Sequence, residues 1–227
     1  MKFGVIVFPG SNCDHDAFYT IGNLMKKDVT FLWHKDHSLQ DVDVVIVPGG
    51  FSYGDYLRAG AIARFSPIMD EVIAFAKKGG LVWGICNGFQ ILTEAGLLPG
   101  VLTRNANRRF ICKYINLKTD NFSTRFTHSL DKNQILNVPI AHAEGNFFAS
   151  DETIKRIEDN GQVVFRYCDE NGNVTQEANP NGSINNIAGI VNEQGNVLGM
   201  MPHPERCADQ ILRNTDGAEI FNSLVMA

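Results

Sequence analysis

Among these 227 residues no stretch approaches the ~20 consecutive apolar side chains that a membrane-spanning helix needs, so a transmembrane protein is not expected. The start, Met1-Lys2-Phe3-Gly4-Val5-Ile6-Val7-Phe8, is too short for a signal peptide, and Pro9-Gly10 ends it; it reads as a strand. Five cysteines include no C-x-x-C pair, which removes zinc sites of the usual spacing, and their odd number argues against a disulfide framework. A reducing compartment, the cytoplasm, is therefore expected. Lys and Arg number 20 against 25 Asp and Glu, and the net charge of −5 argues against a basic nucleic-acid face. There is no G-x-x-x-x-G-K phosphate loop, no internal repeat and no low-complexity segment. What is present, 44% hydrophobic and 20% charged residues, suits a soluble globular chain, expected as one α/β domain over 1–227.

The first half alternates strand and helix signals. Runs at 3–8, 29–33, 42–47 and 81–85 are β-branched and apolar on both faces, as buried parallel strands should be. Helical patterns fall at 16–27, 67–78 and 87–95, with Gly79-Gly80 and Gly96 as stops. Such alternation predicts a doubly wound, mostly parallel sheet with a flavodoxin-like core and its ligands at the carboxyl ends of the strands. Beyond Gly100 short runs at 110–117, 163–167, 187–191 and 197–201 predict antiparallel or mixed strands extending that sheet, and a last helix is expected at 217–225. Glu193-Gln194-Gly195-Asn196 reads as a hairpin turn, and 169–186, rich in Asn and Gly, as a surface loop.

Gly84-Ile85-Cys86-Asn87-Gly88-Phe89-Gln90 stands between an apolar strand and a helix. It is the thiol counterpart of the G-x-S-x-G nucleophile elbow. Glycines on both sides permit a turn tight enough to expose the central side chain, and the helix that follows aims its free N–H groups at the sulfur, favouring a thiolate. The plainer alternative is a small buried cysteine filling a strand-to-helix junction.

Of six histidines, His203 is the one placed as a base, in Met201-Pro202-His203-Pro204-Glu205 after the strand at 197–201. Pro204 pushes His203 toward extended dihedrals, which would set Glu205, two residues on, beside the imidazole. Cys86, His203 and Glu205 then make a nucleophile, base and orienter in an order unlike that of esterases. The oxyanion donors expected are the N–H groups of Gly50, in a glycine turn with Gly49, and of Asn87. Gln90 lies one helical turn past Cys86 and faces the same site, where it is expected to bind substrate. His142 and Glu144 offer a second acid–base pair, or pocket and partner-facing residues. The segment 51–65, with Tyr53, Tyr56, Arg58 and Arg64, is expected to dock a partner.

With Pro48-Gly49-Gly50 between the first strand and the elbow, G-x-C-x-G-x-Q and H-P-E make the chain resemble the class I (triad) glutamine amidotransferases over essentially its whole length. Three longer stretches, Pro9-Gly10-Ser11-Asn12-Cys13-Asp14, Pro48-Gly49-Gly50-Phe51-Ser52-Tyr53-Gly54-Asp55-Tyr56 and His142-Ala143-Glu144-Gly145-Asn146-Phe147, narrow the resemblance to the branch serving purine biosynthesis. The resemblance implies that glutamine is hydrolysed here and that ammonia passes to a synthetase subunit, with a small accessory subunit, that makes formylglycinamidine ribonucleotide from formylglycinamide ribonucleotide. It implies no cofactor or metal in this chain, with ATP and magnesium on the synthetase. It also suggests Asn105 as a pocket residue. The competing readings are a glutaminase of another pathway, an elbow-cysteine hydrolase of the peptidase or deglycase type, and a catalytically silent scaffold.

Overall fold

In the computed structural model, which describes residues 1–226, the early apolar runs become β1 (Lys2–Val7), β2 (Asp28–Trp33), β3 (Val44–Val47) and β4 (Leu81–Ile85). β3 and β4 are buried along their whole length, because helices cover both faces of the sheet. Those helices are α1 (Asp14–Tyr19), α2 (Pro67–Lys77) and α3 (Asn87–Glu94). The helix expected at 16–27 is divided: α1 widens into a π-helical turn over Thr20–Leu24. α2 begins where Pro67 can lose its N–H without cost, at the first helical position.

The second half supplies β5 (Val101–Thr103), β6 (Ile111–Thr119), β7 (Ile135–His142), β8 (Asn146–Phe148), α4 (Asp151–Asp159), β9 (Val163–Cys168), β10 (Ile187–Val191), β11 (Val197–Met200) and α5 (Asp216–Val225). Nine strands form one sheet in the order β2-β1-β3-β4-β11-β10-β9-β6-β7, while β5 and β8 pair separately. From β2 to β11 the pairings are parallel. From β11 to β7 they are antiparallel. The fold is thus α/β, a mostly parallel sheet with an antiparallel extension.

Four elements lie where the sequence signals none: the short pair β5 and β8, β7 and α4. β7 carries Asn137 and Pro139, residues that break a strand pattern, yet it forms because it pairs on one side only, with β6. α4 is amphipathic, burying Ile154 and Ile157, and its N-cap Ser150 Oγ accepts from Thr153 N–H at 3.3 Å. The core is packed around Trp83 of β4, whose ring lies 4.6 Å from Phe221 and 6.1 Å from Phe126 between centroids. No helix among the described residues is long and apolar enough to cross a membrane.

The register that matters for the site is β11 against β4, with Gly199 opposite Gly84 and Met200 opposite Ile85. Both strands run the same way, so the segments leaving their carboxyl ends, Cys86 and His203, emerge side by side. Cys86 N–H donates to Met200 O at 2.8 Å and fastens the two exits together.

Candidate active site

Cys86 stands between β4 and α3 at φ +51°, ψ −105°, a conformation that side chains with a Cβ rarely adopt. The flanking glycines explain how it is held. A Cβ on Gly84 would stand 2.5 Å from Leu92 Cδ1 of α3, and one on Gly88 would overlap the Val47 carbonyl of β3. Helix and strands thus close on the turn more tightly than alanine permits. Cys86 is 5% exposed, and its Sγ–H donates weakly to Ala141 O across 3.9 Å.

His203 comes beside it from the other exit. Pro204–Arg206 is a 3-10 turn rather than the extended segment expected, so the turn, not a strand period, brings Glu205 to the ring. Glu205 Oε1 lies 2.6 Å from His203 Nδ1, and both side chains are almost wholly buried. That bond places a proton on Nδ1, leaving Nε2 without a partner among the described residues. Burial alone would lower the His203 pKa. The negative charge of Glu205, then that of Cys86, and the nearby Cys13 sulfur instead hold it well above its ordinary value. The outer edge of β7 also serves the site: His203 N–H donates to Pro139 O at 2.9 Å, two residues from the Ala141 carbonyl that meets Cys86.

Gly49 and Gly50 form the opposite wall. A Cβ on Gly49 would lie 2.8 Å from His203 Cε1, 3.2 Å from Cys13 Sγ and 3.4 Å from Cys86 Cβ. Gly50 has φ +130°, and a Cβ there would meet Asn12 N at 2.5 Å. Among the described residues, the N–H groups of Gly50 and Asn87 donate to no protein acceptor, so both are available to a developing oxyanion.

The remaining expected residues hold loops together. Asn87 Oδ1 accepts from Ser52 N–H at 3.0 Å, and its Nδ2 donates to Asp55 Oδ1 at 3.2 Å and to Gln90 Oε1 at 2.9 Å. Gln90 is buried rather than facing solvent, and its Nε2 donates to Glu144 O at 2.6 Å, so both ends of its amide are engaged within the protein. Asn105 clamps the 142–145 loop: Nδ2 donates to His142 O at 2.9 Å, and Oδ1 accepts from Gly145 N–H at 3.0 Å and faces His142 Nδ1 at 3.1 Å. His142 is pushed down to about 4 by burial and then by the charge of His203, which keeps it a neutral imidazole rather than an acid at neutral pH. Glu144 lies 3.7 Å from Arg104 and, after burial, helps push Asp55 up to about 6. In 51–65, Tyr53 turns inward to His34 Nδ1 and Ser66 Oγ, and Arg58 pairs with Glu94, while Tyr56, Leu57 and Phe65 are exposed.

Cys13 and Asp55 are site residues that the motifs by themselves did not single out. Each lies inside a quoted stretch, but only the packing shows it beside the elbow. Cys13, His203 and Glu205 bring one ligand atom each within 4.8 Å of one another. The Arg206 guanidinium, 3.1 Å from Cys13 Sγ, places a fixed positive charge where a cation would bind, so this group reads as a charge network.

A family model for CobB/CobQ-like glutamine amidotransferase domains matches residues 1–223. The chain is 60% identical over 225 residues to the phosphoribosylformylglycinamidine synthase subunit PurQ of Moorella thermoacetica, covering 99% of this chain and 95% of that protein. It is 58% identical to the PurQ subunit of Salinibacter ruber, again over 99% and 95%. Among solved structures, a chain of PurLQS from Thermotoga maritima superposes with a TM-score of 0.87 at 40% identity, over 99% of this chain and 97% of that one. Likeness of this extent, on a fold that sets an elbow cysteine beside a histidine–glutamate pair, places the chain in the class I glutamine amidotransferase family.

Proposed function

We infer that the chain is the glutaminase subunit of phosphoribosylformylglycinamidine synthase. It hydrolyses glutamine to glutamate and ammonia and feeds the ammonia to a synthetase subunit, with a small accessory subunit, that converts formylglycinamide ribonucleotide to formylglycinamidine ribonucleotide. ATP and magnesium belong to the synthetase, and the setting is the cytoplasm. One observation supports the chemistry above all: a buried thiol on a strained elbow adjoins an imidazole whose other nitrogen is bound by a buried carboxylate.

In this reading His203 takes the Cys86 thiol proton as the sulfur attacks the side-chain carboxamide carbon of glutamine, and the C=O pair moves onto oxygen, met by the Gly50 and Asn87 N–H groups. As the intermediate collapses the C–N bond breaks, and His203 gives the departing nitrogen the proton it needs to leave as ammonia. His203 then takes a proton from water attacking the thioester. The C–S bond breaks, releasing glutamate and restoring the sulfur. Asn87, Gln90, Asn105, His142 and Glu144 shape the pocket, the first four through the hydrogen bonds above.

Cys86→Ala in the assembled complex tests this. Glutamine-dependent product should fall at least ~10³-fold while ammonium-dependent synthesis survives, because no other group forms the thioester. Normal glutamine turnover by this variant would remove Cys86 as nucleophile.

A further inference from the structure

Arg206 follows the triad carboxylate directly and has a choice of partners. Its Nε donates to Asp16 Oδ2 at 3.0 Å and its Nη2 to Cys13 Sγ at 3.1 Å. Glu205 spends Oε1 on His203, and its Oε2 is buried with no partner among the described residues. A guanidinium favours a carboxylate over almost any neutral acceptor, and the free oxygen of its own neighbour is the natural competitor. Something has to keep the two apart.

We propose that Cys13 is a positioning residue of the glutaminase: its sulfur anchors the Arg206 guanidinium and so keeps it off Glu205, leaving that carboxylate to serve His203 alone. This rests on the triad reading above. The residue suits the task in three ways. Burial pushes the Cys13 thiol up, so it is a neutral acceptor that adds no second negative charge beside the imidazole. Its own proton has an outlet in Asn12 Oδ1 at 3.4 Å. Its backbone N–H donates to Gly49 O at 3.4 Å, so one residue ties the oxyanion turn to the turn that carries His203 and Glu205.

Loss of the anchor has a signed consequence. The groups facing His203 are Glu205, Cys86, Cys13 and the neutral His142. Arg206 paired to Glu205 would offset the negative charge that stabilises the imidazolium, so His203 would lose its proton at lower pH. The alkaline limb of the glutaminase pH profile must then move to lower pH. A purely structural defect lowers the rate without that movement.

The test compares glutamine-dependent turnover across pH in the assembled complex for Cys13→Ala, Cys13→Ser and Cys13→Ala with Arg206→Gln. Ammonium-dependent synthesis controls for the synthetase, and circular dichroism for folding. Cys13→Ala should lower kcat roughly 10-fold to 100-fold, less than loss of the orienting carboxylate itself, with KM for glutamine little changed and the alkaline limb displaced downward. Cys13→Ser keeps an acceptor and should stay near the parent. Removing Arg206 as well should return the limb to its parental place, since the competitor is gone. A parental profile for Cys13→Ala, a slower rate with an unmoved limb, or a double variant no better than the single would each overturn the proposal. If Cys13→Ala does not fold, Cys13→Val fills the site without the acceptor and carries the same test. Failure of the triad reading looks different: Cys86→Ala would then stay active.

Discussion

Cys86 holds its sulfur beside His203 at the cost of backbone strain: at φ +51° a residue with a Cβ costs about 1–3 kcal/mol, which the packing of α3 on β3 and β4 must offset. The His203–Glu205 pair beside it carries a second signature. Because the folded value of His203 is raised above 6.5, the stability the pair contributes is fully present below that ordinary value and is lost as pH rises through the folded one. Activity that needs the imidazolium follows the same direction. Glu205→Gln should fold, lower glutamine turnover by roughly 10²–10⁴, and move the alkaline limb of the rate profile to lower pH. A pH series of kcat on parent and variant measures both, and a rate within twofold of the parent would remove Glu205 from the triad.

At the scale of elements the decisive contact is α3 lying on β3 so closely that Gly88 has no room for a methyl group. Gly88→Ala would drive a carbon into the Val47 carbonyl, so the helix must lift. A backbone shift of that kind costs about 1–3 kcal/mol. It would also carry the Asn87 N–H away from the proposed oxyanion position, where one donor is worth roughly 10²–10³ in rate. The expected result is a folded protein of lower thermal midpoint whose glutamine turnover falls far more than its stability. Retention of parental turnover would show that the elbow tolerates the displacement. β7 illustrates the same principle from the other side. As a sheet edge it leaves the carbonyls of residues 139 and 141 unpaired in the sheet, and the site uses both.

For the molecule as a whole, the exposed apolar residues of 51–65 lie directly downstream of the oxyanion turn: Tyr56 is 74% exposed, Leu57 89% and Phe65 75%. Phe51 N–H donates to Gly10 O at 2.9 Å, so movement of this segment reaches the Gly50 peptide through a single residue. If a synthetase docks here, it can therefore adjust the Gly50 N–H, one of the two proposed oxyanion donors. We predict that the isolated chain hydrolyses glutamine slowly and that the loaded complex does so roughly 10²–10³ faster, the worth of that donor. Steady-state hydrolysis with and without the partner and its ligands measures it. Equal rates would end the coupling idea and leave the triad as it stands.

The sequence by itself determined the parallel half of the sheet and marked out Cys86, His203 and Glu205, the triplet of the proposed chemistry. Cys86 between Gly84 and Gly88 and His203 between prolines are local patterns, and buried parallel strands such as 42–47 and 81–85 announce themselves by composition. β7 and α4 were not legible in the same way, because Pro139 and Asn137 argue against a strand unless it is known to lie at an edge, and edge position is a property of the finished sheet. Cys13 was a residue in a motif without a role. Only the tertiary structure, by laying the α1 loop against the turn after β11, decided that its sulfur faces Arg206 and the triad. The physical reason is range: turn and helix preferences act over a few neighbours, whereas the Cys13–Arg206 contact joins residues 193 positions apart.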